Sequence, residues 1–176
     1  MTRTARTDSE LLLGDWACLG ILAVEPSHGF AVSVRLRPDG DIGRVWSLSR
    51  PLTYRSIDRL LKHGYIHPVS EEPGIAGGTK TVLAVTDAGR SALREWLTSP
   101  VMHLRDLRSE LLLKLQLART LDVESTELVV GQKQVVFRIR HNLERQLRTQ
   151  SDDIVTSWRL ESADAALRFL DSLADR

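Results

Sequence analysis

From Leu11 to Val24 the chain reads LLLGDWACLGILAV, apolar at nearly every position, with Asp15 the one charge. A helix apolar around most of its circumference is packed between partners. Glu25-Pro26 ends it, and Ser27 is a favoured residue to cap a second helix over about 28–36. Pro38-Asp39-Gly40-Asp41 is a turn by composition. Val45 to Leu48 is expected as a short extended entry to a third helix, capped by Ser49, with Pro51 in its first turn and Gly64 beyond its end. Tyr65 to Val69 reads as a strand, EEPGIAGG (71–78) as a turn region, and TKTVLAV (79–85) as the return strand of a hairpin. Thr86 caps a fourth helix over 87–98, closed by Pro100. A fifth helix is expected over 104–121. A long sixth runs over 125–150, with Leu128, Val135, Val136, Ile139, Leu143 and Leu147 at helical spacing, and a last one over 154–174.

Three helices, a hairpin and then only helices is the element order of a winged helix-turn-helix with a helical appendage. The expected fold class is therefore mainly α with a small β-hairpin. Residues 1–100 would form a winged helix-turn-helix DNA-binding domain and residues 101–176 a C-terminal helical dimerisation region. The appendage has too few elements for a core of its own, so its apolar faces are expected to meet the first helix or a second chain.

On the third helix, Thr53, Ile57, Leu60 and Leu61 share one face, while Arg55, Arg59, Lys62 and Asp58 fall opposite. A helix-turn-helix places the start of its recognition helix in the major groove. Arg55 is the candidate for a guanine, whose O6 and N7 accept both prongs of a guanidinium, and Leu52 could touch a thymine methyl. Ser47, Ser49 and Tyr54 suit phosphates, beside the anion-attracting helix N-terminus. Arg50, Arg59 and Lys62 complete the basic stripe, and Thr79 and Lys80 are the wing's candidates.

Composition sharpens this picture. The 176 residues carry 24 Lys plus Arg against 23 Asp plus Glu, a net charge of +1, which excludes a strongly basic chain. The stretch 44–62 nevertheless holds five basic residues against Asp58 alone, a local +4, whereas 101–176 is balanced at twelve of each sign. Cys18 is the only cysteine, so neither an intrachain disulfide nor a cysteine zinc cluster is available. Cys18 sits in the apolar first helix, where inert core is expected. The polar start lacks the apolar core of a signal peptide, and no stretch suits a membrane span, so a cytoplasmic location is expected.

At this point the residues resemble the PadR family of bacterial transcriptional regulators. The carriers are CLGILAVEPSHGF, LTYRSIDRLLKHGYI, TVLAVTDAGRSALREWL, SELLLKLQLA and SWRLESADAALRFLDSL. Together they span about 11–173 and match the longer subgroup with C-terminal helices. The resemblance implies a homodimer that binds a pseudo-palindromic operator in double-stranded DNA and usually represses transcription. It also implies that the first helix and the C-terminal helices form the dimer interface. Tyr54 matches the family's recognition-helix Tyr, and His28-Gly29 the turn before the second helix. Two positions depart from the pattern: Arg55 stands where Pro is frequent, and Val82 and Leu83 where wing tyrosines are frequent. The operator sequence therefore does not carry over.

Some members of that family take planar aromatic or cationic compounds by stacking, and Trp96 occupies the matching helix. Trp16 and Trp96 are thus candidates for an aromatic small-molecule effector, against the plainer role of packing bulk. The histidines offer no defensible metal site: Gly64 and Pro68 interrupt any helix through His63 and His67. No Gly-x-Ser-x-Gly, P-loop or Gly-x-Gly-x-x-Gly occurs, so neither enzymatic activity nor a cofactor is expected. The competing class is a winged helix used only for protein contact, which would not need the basic stripe.

Overall fold

The computed structural model describes residues 11–73, 78–149 and 152–174. It divides into two compact units, Met1–Arg94 and Glu95–Arg176.

The first unit opens with helix α1 (Leu13–Val24), in which Ala17, Cys18, Leu19, Ile21 and Leu22 are buried. The nearly all-apolar sequence has this consequence because α1 packs on several elements of its own unit. The principal ones are α3 (Arg50–Lys62), the strand β3 (Thr79–Val85) and the short helix α2 (Gly29–Arg35).

Between α1 and α2 the structure corrects the sequence reading. Ser27–His28 is a strand, β1, and His28 rather than Ser27 caps α2. The His28 Nδ1 accepts a hydrogen bond from the Ala31 N–H at 3.0 Å, while Ser27 and His28 pair antiparallel with Leu83 and Val82. The hairpin is thereby a three-stranded sheet in the order β1-β3-β2, and β2 (Ile66–Pro73) is an edge strand. Its exposed run is consistent with Pro68, which cannot donate to a ladder. The strand outlasts the expected 65–69: Glu71, Glu72 and Pro73 still pair with Thr81, Lys80 and Thr79. The rest of the expected turn, 74–77, lies outside the described residues.

Val45 and Trp46 form turns rather than the expected extended entry, with their N–H groups donating to the Ile42 carbonyl. The chain straightens only at Ser47, and the Leu48 N–H donates to the Leu36 carbonyl at 3.0 Å. Gly64 ends α3 with φ +68°, the left-handed conformation that glycine adopts without steric cost.

Helix α4 (Asp87–Thr98) starts where expected, for a reason seen in its cap. The Thr86 hydroxyl donates to the Gly64 carbonyl at 2.8 Å and accepts from the Gly89 N–H at 3.1 Å. A Cβ on Gly89 would stand 2.2 Å from the Tyr65 carbonyl oxygen, so this close approach admits only glycine.

In the second unit, the expected fifth helix begins as a 3-10 turn (Leu104–Asp106) and a π turn (Leu107–Leu111). It becomes the α-helix α5 only over Leu112–Thr120. Helices α6 (Thr126–Thr149) and α7 (Ile154–Ala174) pair antiparallel, as their cross-links show: Lys133 to Asp171 at 2.6 Å and Arg140 to Asp164 at 2.5 Å. Leu128, Val129, Val136, Ala163 and Leu170 form a buried cluster with Val101 and Leu111. Contrary to the expectation from element count, this unit therefore has an apolar core within one chain, because α6 and α7 pair along their lengths and close over Val101 and Leu111. It also leaves Val130, Phe137, Val155, Trp158 and Ile154 exposed, the last at 80%. Among the described residues no helix is long and apolar enough to cross a membrane.

Candidate nucleic-acid interface

Helix α3 is two-faced. Thr53, Ile57 and Leu60 are buried as the periodicity requires, joined by Ser56, which the apolar count passed over. Leu61, expected on the core face, is instead over a third exposed at 37%. It stands at the edge of that face, where it borders a surface cleft.

On the other side, Arg50, Leu52, Tyr54, Arg55, Asp58 and Lys62 are exposed. Among the described residues Arg50, Arg55 and Lys62 make no ion pair. Thirteen residues at about 1.5 Å each give α3 a length of about 20 Å. An α-helix of ordinary diameter enters the major groove of B-DNA, which is about 12 Å wide. Ser47 and Ser49 are exposed just ahead of it, and Ser49 is its N-cap through the backbone, with the Thr53 N–H donating to the Ser49 carbonyl at 3.0 Å. The first N–H groups of any helix lack intrahelical acceptors and face outward at such an end.

Arg59 does not join the exposed stripe. It reaches back to Asp15 on α1, Nε to Oδ2 at 2.9 Å and an NH2 to Oδ1 at 2.6 Å, and its raised pKa follows chiefly from that bonded carboxylate. Asp15 is completely buried, and it also accepts the Leu12 N–H at 2.7 Å. The one charge in the apolar first helix thus selects its partner from the cationic side of α3.

The wing contributes Thr79, exposed, and Lys80, half-buried. The Lys80 Nζ lies 6.0 Å from the centre of the Phe30 ring, and the Arg50 guanidinium lies 5.2 Å from the same ring and 5.8 Å from Tyr54. Phe30 is the second residue of α2 and belongs to no sequence-derived site. Its only signal was an aromatic directly after His28-Gly29. Gly29 lets α2 sit close on α3, since a Cβ there would stand 3.0 Å from Tyr54 Cε1 and 3.1 Å from Ile57 Cδ1. A cleft of about 830 Å³ opens along this seam, bordered by Phe30, Arg50, Tyr54, Leu61, Thr79 and Lys80. The wing also carries Glu71 and Glu72, both exposed, with Glu72 directly across the ladder from Lys80.

The two effector candidates belong to different units, Trp16 to the first and Trp96 to the second. Trp16 is half-buried on α1. The Trp96 ring already meets a cation, the Lys114 Nζ at 4.8 Å from its centre. That ammonium is buried, donates to the Ser99 carbonyl at 2.6 Å and pairs with Glu110 at 3.0 Å. Among the described residues no group of three or more His, Cys, Asp or Glu could hold a metal ion.

No family model matches the chain, and no curated protein matches it. Among solved structures it is similar to the Bacillus subtilis PadR crystallised in complex with operator DNA. The identity is 18% and the TM-score 0.47, over 90% of this chain and 96% of that one. A second structure of Bacillus subtilis PadR is similar at 16% identity and TM-score 0.45, covering 97% and 96% of the two chains. The protein smu.1604c from Streptococcus mutans UA159 is similar at 14% identity and TM-score 0.45, covering 94% and 100%.

Proposed function

We propose that this protein is a homodimeric, sequence-specific DNA-binding transcriptional regulator of the PadR kind, acting as a cytoplasmic repressor. Residues 1–100 would read a pseudo-palindromic operator and residues 101–176 would join two copies. The observation that carries this reading is the division of α3. Its apolar side is buried, and its other side presents Arg50, Leu52, Tyr54, Arg55 and Lys62 to solvent beside Lys80 of the wing. Solvated cations without carboxylate partners on an exposed helix are a means by which proteins neutralise DNA phosphates. The exposed Val130, Phe137, Ile154, Val155 and Trp158 of the second unit supply apolar surface for self-association. An aromatic small molecule at Trp16 or Trp96 would release the operator. For Trp96 it would have to engage the ring together with Lys114.

Selection of genomic fragments by the purified protein tests the reading. Recovery of an inverted repeat supports it. Arg55→Ala should then cost about 1–3 kcal/mol at one base position and relax specificity there. Lys80→Ala should weaken binding uniformly and lower the salt slope by about one.

One observation favours a second reading, a winged helix that contacts protein. Glu71 and Glu72 put two exposed carboxylates on the wing, where a DNA-facing strand would be expected to carry cations. Random recovery of fragments, with affinity indifferent to salt, would favour it.

A further inference from the structure

Phe30 is a large apolar side chain left 38% exposed beside Arg50 and Lys80. Its ring is engaged by cations from two different elements, Arg50 at the start of α3 and Lys80 on β3. His28 stacks with it, 6.3 Å between ring centres and 30° between planes. Two like charges gathered at one ring repel each other, and among the described residues neither has a carboxylate partner, although Glu72 stands across the ladder from Lys80. The face of an aromatic ring attracts cations without neutralising them. Such a ring can therefore hold two cations in place while leaving their charge available to an anion. The cleft between α3 and β3 opens beside both of them.

We propose that Phe30 is the positioning residue of a phosphate clamp. Its ring holds the Arg50 guanidinium and the Lys80 ammonium so that both meet the DNA backbone where it enters the cleft between α3 and the wing. The proposal rests on the DNA-binding reading and adds to it the residue that couples helix to wing. Ordering these two long side chains in advance removes part of the entropy that phosphate binding would otherwise cost.

The test compares the full-length wild type with Phe30→Leu and Phe30→Tyr over a range of salt concentrations. The probes are a duplex recovered by genomic selection and a random-sequence duplex of the same length. Leucine keeps apolar bulk and lacks the ring face, and tyrosine keeps the face. Phe30→Leu should weaken both duplexes by the same factor, about tenfold, and lower the salt slope by about one to two. Phe30→Tyr should bind as wild type. Adding Phe30→Leu to an Arg50→Ala/Lys80→Ala background should cause no further loss. Unchanged binding by Phe30→Leu, or an equal loss in that background, overturns the clamp and leaves the DNA reading standing. A wild type that binds neither duplex overturns both.

Discussion

Arg59 grips Asp15 with two nitrogens, at 2.9 and 2.6 Å, and so ties the last turn of α3 to the first turn of α1 across 44 residues of sequence. The carboxylate is wholly buried, while the guanidinium retains 36% of its side-chain exposure. Breaking such a pair by removing one member leaves an uncompensated buried charge. Arg59→Ala should therefore destabilise the first unit by about 3 kcal/mol, read as a lower urea midpoint. Lys62→Ala, one turn on, should leave the midpoint unchanged and weaken DNA binding instead. Equal stability losses in the two variants would refute the distinction between these neighbours.

Cys18 should behave as core rather than as a sensor. Burial, with a smaller contribution from the Asp15 charge, pushes its thiol from 9.0 up to about 12. The folded protein should resist a thiol-specific disulfide reagent at mildly alkaline pH and react fully once denatured. Because the folded pKa lies above the unfolded one, this group favours the fold below pH 9.0. Its contribution is lost progressively as pH rises from there toward 12. Cys18→Ala should lack that alkaline component, which denaturation at a series of pH values would show.

Lys114 runs in the opposite direction. Burial pulls its pKa down from 10.5 against the opposing pull of Glu110. In the interval between the lowered value and 10.5 the unfolded chain binds more protons, so stability rises with pH there. Lys114→Met replaces an ammonium by an apolar chain of similar bulk and leaves Glu110 partly in water. Its stability should stay within about 1 kcal/mol of wild type. Lys114→Ala should cost about 2–3 kcal/mol through the cavity left against Trp96. Thermal unfolding of the two variants side by side separates charge from volume.

Gln132 does for Val101 what a neighbouring strand would do. Its side-chain oxygen accepts the Val101 N–H at 2.7 Å and its NH2 donates to the Val101 carbonyl at 2.8 Å, both buried. Gln132→Leu would leave a backbone donor and acceptor unpaired in an apolar surround, at a cost of about 2–4 kcal/mol. Chemical denaturation measures it, and a loss below about 1 kcal/mol would mean that water reaches Val101.

Much of the architecture was legible along the chain. Helices α1, α3, α4, α6 and α7 follow from runs of apolar residues at helical spacing, closed by Gly64, Pro100 and the cap at Thr86. Those signals are local, because they depend on which face of one element is apolar and on the backbone freedom of single residues. The β1 strand was not legible, since two residues carry no period. Its pairing is fixed by β3, some 55 residues away in Ser27↔Leu83.

The candidate site divides in the same way. Sequence by itself determined that α3 would bury Thr53, Ile57 and Leu60 and turn a cationic side outward, because the period of the helix decides the face. Only the tertiary structure decided which cations remain free. Arg55 and Arg59 are one turn apart and indistinguishable by spacing, yet Arg59 is committed to Asp15 and Arg55 is not. Likewise, Phe30 joins the site because α2 packs against α3 and the sheet sets Lys80 over its ring. The physical reason is common to both cases. Burial periodicity is written into consecutive residues, whereas the pairing of a charge depends on which distant group the packed chain brings within a few ångströms of it.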